Sequence, residues 1–135
     1  MLDETALLEA LKRHWDYSGN DEDIASEIYH DDAVLEFPQS GERFEGVENF
    51  REWRRRYPAR LAFHTRRISH RDDLVVVENL ISYDGAPWMF TVNVLHFRDD
   101  RVAHERIYIM ESWAPAEWRE PWRSDTPADP PPPAP

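Results

Sequence analysis

The chain has 135 residues, no cysteine and a formal net charge of −11. This length suits one domain, and the missing cysteines exclude disulfides, thiolate nucleophiles and cysteine metal sites. The acidic balance argues against a nucleic-acid partner. The chain has no apolar run of ~20 residues, so we predict no membrane partner. It also has no signal-peptide pattern, so we predict a cytoplasmic protein.

The first third of the chain predicts helices. A first helix, capped by Asp3 or Thr5, carries an apolar stripe at helical spacing: Leu7, Leu8, Leu11 and Trp15. Asp21 can cap a short second helix with a buried side formed by Ile24, Ile28 and Tyr29. After a short strand "AVLEFP" and an edge segment "GERFEG", a third helix buries Val47, Phe50, Trp53 and Tyr57. We interpret the basic cluster at 54–56 as the solvated face of that helix.

From Arg60 onward the periodicity of the sequence changes to two, which predicts strands. The segments "RLAFHTRRISH", "DLVVVENLISY", "APWMFTVNVLHF" and "RVAHERIYIMESW" read as four strands, and Asp84-Gly85 marks a tight hairpin turn. Helices followed by antiparallel strands predict an α+β domain over residues 1–123, with a curved sheet covered on one side by helices. The remaining residues, 124–135, predict a disordered proline-rich tail.

The Asp84-Gly85 turn allows the register of the first hairpin to be predicted. A two-residue turn places Glu78 opposite Thr91 and Val76 opposite Asn93. Because side chains alternate between the two faces of a sheet, Glu78, Thr91 and Asn93 are then predicted on the same face.

The next turn leaves two alternatives. A three-residue loop, with Asp100 in the left-handed conformation, places Asn93 opposite Glu105. A two-residue loop places Asn93 opposite Arg106 and reverses the face. We favour the three-residue loop because it places the apolar side chains of the neighbouring strands on the same face, together with a few polar ones. That face then carries Glu78, Met89, Thr91, Asn93, Leu95, Phe97, Glu105, Ile107 and Ile109.

Two motifs carry a family resemblance. "HDDA" follows the short second helix, and "FRDDRV" forms the last turn. With the order of elements over residues 4–113, this pattern resembles the nuclear transport factor 2-like superfamily and its SnoaL-like branch. The resemblance implies a cone-shaped barrel, in which a strongly bent antiparallel sheet wraps on N-terminal helices around a pocket, commonly as a homodimer through the sheet. Members include ketosteroid isomerase, scytalone dehydratase, limonene epoxide hydrolase and polyketide cyclases.

The resemblance also locates the positions of known catalytic groups. The isomerase-like general base falls at Phe37, and the oxyanion-donating tyrosine falls near Arg13 or His14. The second oxyanion donor falls at Asn93, whose amide can still donate a hydrogen bond. The acid/base aspartate of the polyketide cyclases falls at Ile107. The chain therefore lacks both of these bases and keeps a pocket with polar groups among apolar neighbours.

We predict a pocket for a small hydrophobic molecule, cyclic or carbonyl-containing. Glu105 and His14 are the candidate catalytic residues, with a structural carboxylate and a hydrogen-bonded core histidine as the alternatives. Asn93 is predicted to orient the ligand, and the remaining predicted contacts are Glu78, Thr91, Met89, Ile107, Ile109, Phe37 and Tyr17. Histidine spacing favours no metal site, and no cofactor is predicted. The function is then an isomerase-, cyclase- or dehydratase-type enzyme, or else a non-catalytic ligand-binding or dimerisation module.

Two features predict assembly. The face opposite the pocket carries a run of apolar side chains that favours a homodimer: Val75, Val77, Ile81, Phe90, Val92, Val94 and His96. Beyond the last strand, Trp113, Trp118 and Trp122 predict an ordered, packed segment, either as a lid over the pocket or as a contact with a second subunit.

Overall fold

The computed structural model describes residues 2–135. Three helices, two single 3₁₀ segments and six strands follow one another along the chain: α1 Glu4–Tyr17, α2 Glu22–Ala25, the 3₁₀ segment Ser26–Ile28, β1 Tyr29–Phe37, β2 Glu42–Glu45, α3 Val47–Arg55, β3 Leu61–Arg71, β4 Leu74–Tyr83, β5 Met89–Arg98, β6 Arg101–Met110 and the 3₁₀ segment Glu117–Trp122. All six strands form one sheet in the order β2-β1-β6-β5-β4-β3, antiparallel throughout except between β1 and β6. The predicted α+β class is confirmed.

The helices form where the sequence predicts them. The Asp3 side chain caps α1 by accepting a hydrogen bond of 2.8 Å from the Ala6 amide. Leu7, Leu11 and Trp15 are buried against the sheet, whereas Leu8 is 39% exposed and does not belong to the stripe. The buried faces of α1 and α3 and the inner face of the sheet share one apolar core, so the helices close the concave side of the sheet.

The hairpin between β4 and β5 forms its predicted turn with a different register. The Ala86 amide donates to the Tyr83 carbonyl at 3.0 Å, as expected for a tight turn. Residues 86–88 then leave the ladder, and pairing resumes with Ile81 opposite Met89. Pro87 has no N–H to donate, which explains this one-residue slip.

A slip of one residue moves side chains to the other face of the sheet. Val77 lies opposite Asn93 and Asn79 opposite Thr91, so Asn79 replaces Glu78 on the inner face. The prediction that Glu78 faces the pocket is therefore wrong. The apolar run predicted for the outer face is wrong for three members of β4, because Val75, Val77 and Ile81 are buried in the core.

The hairpin between β5 and β6 reaches the predicted face by a different route. The loop has two residues, since Arg98 pairs with Arg101, and Asp99 rather than Asp100 has the positive φ of 57°. A bulge then inserts Ala103, because His96 pairs with His104 while Phe97 pairs with Val102. A two-residue loop alone would turn Glu105 to the outer face of the sheet, and the bulge returns it to the inner face.

Glu105 therefore lies on the inner face with Asn93, as predicted. The partners across the ladder differ, because Asn93 pairs with Ile107 and Glu105 pairs with Leu95. The predicted pairing of Asn93 with Glu105 is wrong by two residues, which preserves the face.

The tryptophan segment after β6 is exposed. Trp113, Trp118 and Trp122 keep 81%, 74% and 78% of their surface accessible and line neither cavity, so the predicted lid over the pocket is wrong, and the predicted contact with a second subunit stays a prediction. The tail over 124–135 has no helix or strand. Among the described residues, no helix is both long and apolar enough to cross a membrane.

Two glycines with positive φ allow a matched test of the packing between α1 and β3. Gly19 (φ +84°) sits where an added Cβ would lie 3.2 Å from the Leu61 carbonyl oxygen, whereas Gly41 (φ +76°) has open space around that position. Both alanine variants adopt a left-handed backbone, which costs about 1 kcal/mol. We expect Gly19→Ala to lower the free energy of unfolding by clearly more than Gly41→Ala in urea denaturation. Equal losses would show that the Leu61 contact imposes no constraint.

Candidate functional site

A cavity lies between α1, α3 and the inner face of the sheet. We call it the inner chamber; its volume is about 90 Å³. Its wall is mostly aromatic and aliphatic, with a few polar groups: His14, Trp15, Ser18, Gly19, Glu22, Phe37, Trp53, Arg54, Tyr57, Leu61, Phe63, Ile81, Tyr83, Thr91, Asn93, Ile107 and Ile109. The chamber is smaller than the ~150 Å³ apolar cavity that holds a benzene molecule. A ring-sized ligand must therefore extend beyond it.

A second, wider cavity adjoins the chamber. This vestibule has a volume of about 600 Å³ and shares Phe37, Trp53, Tyr57 and Ile109 with the chamber wall. Gln39 fixes its rim, because its side-chain amide donates to the Ile109 carbonyl at 2.7 Å and accepts from the Ile109 amide at 2.6 Å. The two spaces together suit a ligand whose apolar body occupies the vestibule and whose polar end enters the chamber.

A buried hydrogen-bond network lies beneath the chamber. Glu105 is fully buried and accepts hydrogen bonds from the Tyr29 hydroxyl and, at 2.8 Å, from the Asn93 amide. Thr91 donates to the Asn93 oxygen at 3.1 Å, and Arg54 donates to the Tyr29 oxygen at 3.2 Å. These residues come from α3, β1, β5 and β6, so the network joins one helix to the centre of the sheet.

Arg54 provides the positive charge of this network. Its guanidinium lies over the rings of Tyr29, Phe50 and Trp53, at 5.5, 6.0 and 5.3 Å from their centroids. Burial opposes its charge, but the neighbouring Tyr29 and Glu105 favour it, and the pKa of Arg54 is raised. Burial also raises the pKa of Tyr29 above its usual value. The phenol therefore stays protonated and acts as the hydrogen-bond donor to Glu105.

His14 lines the chamber as a neutral side chain. Its Nδ1 lies 2.6 Å from the Ala25 carbonyl, which can only accept, so Nδ1 carries the proton and Nε2 is the acceptor. Burial, reinforced by the charge of Arg54, lowers the pKa of His14 from 6.5 to about 3. At neutral pH, His14 is therefore uncharged, and its Nε2 carries a lone pair.

Two polar atoms of the chamber wall have no hydrogen-bond partner among the described residues. They are the indole Nε1 of Trp53 and the Oε2 of Glu22, both buried. The other oxygen of Glu22 accepts from the Gly19 amide at 2.7 Å. A buried donor or acceptor without a partner is costly, so a ligand that supplied a partner to either atom would recover that cost. Within residues 2–135, no cluster of three or more histidine and acidic side chains is arranged to hold a metal ion.

Most of the predicted site residues come together at this chamber. Its wall contains His14, Phe37, Thr91, Asn93, Ile107 and Ile109. Glu105 lies one layer behind them, in contact with Asn93 and Tyr29 rather than with the cavity. The predicted convergence of Glu105 and Asn93 on the inner face is therefore present, with Asn93 between the carboxylate and the chamber.

Three predicted contacts lie elsewhere. Glu78 is on the outer face, 3.4 Å from the Arg67 guanidinium, because of the slip at Pro87. Tyr17 is 38% exposed at the end of α1, with Arg13 over its ring. Met89 begins β5 on the same face as Thr91 but lies outside the chamber wall.

Among the residues that the sequence does not predict for the site, four take part in its network or leave an unpartnered atom: Glu22, Tyr29, Trp53 and Arg54. The sequence predicts that Tyr29 and Trp53 are buried but indicates no site role for them. The prediction that Arg54 lies on the solvated face of α3 is wrong. Arg54 follows Phe50 by four residues, which places both on one helical face, and this spacing was the available signal. Arg55 and Arg56 are exposed.

Comparisons with known proteins agree with this architecture. The family model of the SnoaL-like domain matches residues 6–105. An NTF-2-like protein of unknown function from Burkholderia xenovorans LB400 shares 36% identity, with a TM-score of 0.83 over 92% of this chain and 98% of that one. A candidate ketosteroid isomerase from Kribbella flavida DSM 17836 has 20% identity and a TM-score of 0.80 over 94% of each chain. An LEH-like epoxide hydrolase from M. tuberculosis has 22% identity and a TM-score of 0.62 over 78% and 83% of the chains. A comparison with curated proteins gave no match.

The buried network predicts a large effect of a small change at Tyr29. Tyr29→Phe removes the hydroxyl that joins Glu105 and Arg54, and leaves both short of a partner. We expect the free energy of unfolding to fall by about 1–3 kcal/mol. Tyr17→Phe is the matched control, because an exposed tyrosine should change it by less than about 0.5 kcal/mol. Equal effects of the two variants in chemical denaturation would contradict the network.

The low pKa of His14 predicts a pH dependence of stability. Because the pKa is about 3 in the folded chain and 6.5 ordinarily, the unfolded chain binds the proton more readily between these values. The stability associated with neutral His14 is therefore complete above pH 6.5 and is lost as the pH falls towards 3, by up to about 1.4 kcal/mol per pH unit. His14→Gln should remove this slope, measured as the difference between the two unfolding curves from pH 7 to 4. Parallel curves would rule the shift out.

Proposed function

This chain belongs to the SnoaL-like domain family, which confirms the resemblance read from the sequence, and we propose that it binds a small, largely apolar molecule carrying a carbonyl-type oxygen. The observation that carries the proposal is the buried, unpartnered indole N–H of Trp53, a residue that lines both cavities. A carbonyl oxygen accepts hydrogen bonds and donates none, so it matches this free donor. Asn93 supports the same assignment, because its amide has two N–H groups and Glu105 uses one.

The shape of the cavities supports a ligand with two different ends. The chamber is narrow and includes Asn93 and His14 in its wall, whereas the vestibule is wide, with aromatic side chains (Phe37, Phe44 and Trp53) on its wall beside the polar Gln39, Ser40 and Glu42. The apolar body then lies in the vestibule, where its burial supplies most of the binding free energy. The carbonyl end points into the chamber, where Trp53 and Asn93 fix its orientation.

An acid–base enzyme of the isomerase, cyclase or dehydratase type is the second candidate. The acceptor nitrogen of His14 and the free Oε2 of Glu22 both belong to residues of the chamber wall, so the wall includes two candidate proton acceptors. Glu105 would assist by holding Asn93 and Tyr29 in place. The low basicity of His14 and the position of Glu105 behind Asn93 favour binding as the first candidate.

A pair of ligands separates the contribution of apolar burial from that of the carbonyl hydrogen bond. Cyclohexanone and methylcyclohexane have similar apolar rings, but only the ketone accepts a hydrogen bond. We expect Trp53→Phe, which keeps an aromatic ring and removes the donor, to weaken cyclohexanone binding about 2- to 10-fold. Binding of methylcyclohexane should stay unchanged, and ligand-observed NMR measures both.

Trp118→Phe is the control, because Trp118 is exposed and lies outside both cavities. An equal loss for both ligands in Trp53→Phe would show a packing effect and exclude the hydrogen bond. Turnover of cyclohexanone derivatives that disappears in Glu22→Gln would favour the enzymatic candidate instead.

We also propose a second copy of the chain as partner, through the outer face of the sheet. Half-buried apolar side chains form a strip across β5 and β6 on this face: Phe90, Val92, Val94, Tyr108 and Met110. The three exposed tryptophans of the segment after β6 add apolar area. Apolar surface of this extent is typical of an interface, and a two-fold contact uses the same patch on both copies.

The tryptophan segment provides the test of assembly. Trp118→Ala should shift the equilibrium from dimer towards the 16.1 kDa monomer, measured by light scattering over a dilution series. Glu117→Ala changes the neighbouring exposed residue and should leave the equilibrium unchanged. A native chain that stays monomeric at all concentrations would refute the assembly proposal.

A further inference from the structure

The proline-rich tail lies against the outer side of β3 and the β4–β5 turn. Arg66 donates to the Asp129 carbonyl at 2.7 Å, and Arg67 lies 3.4 Å from the Asp129 carboxylate. Farther along the tail, the indole N–H of Trp88 donates to the Pro133 carbonyl at 3.1 Å. The Pro135 carbonyl reaches the turn, 3.5 Å from the position of a Cβ on Gly85.

The spacing of these contacts fits an extended tail that runs alongside β3 in the opposite chain direction. From Arg67 to Leu61, β3 covers six residues, or about 20 Å. From Asp129 to Pro135 the tail covers the same number of residues, or about 19 Å in a polyproline II conformation. Leu61 pairs with Tyr83 beside the turn that contains Gly85, so both ends of the tail meet their contacts without stretching.

A local irregularity of β3 supplies the charged end of this surface. Thr65 pairs with Asn79 and Arg67 pairs with Glu78, so Arg66 is an extra residue in the strand. Such a bulge re-aims side chains. Here it allows two successive arginines, which an unbroken strand would direct to opposite faces, to approach the same residue of the tail.

Trp88 supplies the aromatic end. Its ring contacts His64, with 6.2 Å between the centroids. An aromatic surface with a ring N–H directed at a backbone carbonyl is suited to polyproline II segments, whose carbonyls have no internal hydrogen bonds. We propose that the surface formed by His64, Arg66, Arg67 and Trp88 is a binding site for a proline-rich segment, and that the chain's own residues 129–135 occupy it.

This site lies beside a vulnerable part of the fold. β3 is an edge strand of 11 residues, and a long uncovered edge invites pairing with other chains. The run Pro130–Pro133 has no backbone N–H groups, so it can lie beside the strand without extending the ladder. The surface is separate from both cavities, and its test does not depend on the proposed ligand.

The full-length chain permits a direct test because it has no cysteine. Ala134→Cys introduces a single site for a nitroxide spin label. We expect the label to broaden the NMR signals of the Trp88 indole N–H and the Gly85 amide. Trp88→Phe should restore the Gly85 signal, as should the Arg66→Gln/Arg67→Gln double variant. Arg56→Gln, which changes an exposed arginine on α3, should leave the broadening unchanged.

A mixed sample shows whether the tail bound at this site belongs to the same chain or to another copy. Spin-labelled chain without ¹⁵N is combined with ¹⁵N-labelled chain that carries no spin label. We expect no broadening in this mixture, because the tail binds its own sheet. Broadening in the mixture would overturn the assignment of the chain's own tail as occupant, and unchanged Trp88 and Gly85 signals in the first experiment would overturn the site itself.

Discussion

A carboxylate in the centre of the core is the constraint on which the rest of this structure depends. Glu105 is fully buried on the inner face of β6, and a charge in that position is tolerated only when hydrogen bonds and an opposite charge compensate for lost water. Tyr29, Asn93 and Arg54 provide that compensation from β1, β5 and α3. The network consequently fixes α3 against the sheet, and α3 carries Trp53 to the junction of the two cavities.

The alternation of side chains between the two faces of each strand could be predicted from the sequence, because alternation is local. The exact register could not, because it depends on single residues that interrupt the ladder. Pro87 removes one donor and slips β4 against β5, which moves Glu78 outward and Asn79 inward. Ala103 bulges and has the opposite consequence: it compensates for the shorter loop, so Glu105 reaches the expected face. One of the two unforeseen irregularities therefore preserved a predicted site residue and the other removed one.

The role of Arg54 shows a different limit of sequence reasoning. Three successive arginines on a helix predict a solvated face, and this holds for Arg55 and Arg56. Arg54 points inward because Glu105 and the ring of Tyr29 lie beneath it. The composition of the cluster predicts the average exposure of its three arginines. The direction of the Arg54 side chain depends instead on Tyr29 and Glu105, which are 25 and 51 positions away in sequence. Only the assembled fold brings those partners together.

The distribution of satisfied and unsatisfied polar groups separates the structural part of the site from its binding part. Glu105 and Tyr29 have their partners within the chain, which is what a structural role requires. Trp53 and Glu22 each leave a buried atom without one, and both line the chamber. Burial without a partner is not sufficient evidence alone, since Asn79 also lacks side-chain partners and lies outside the chamber wall. Position at the cavity and an unused hydrogen-bonding atom together distinguish Trp53 and Glu22 from Asn79, and they are the basis for placing the proposed ligand there.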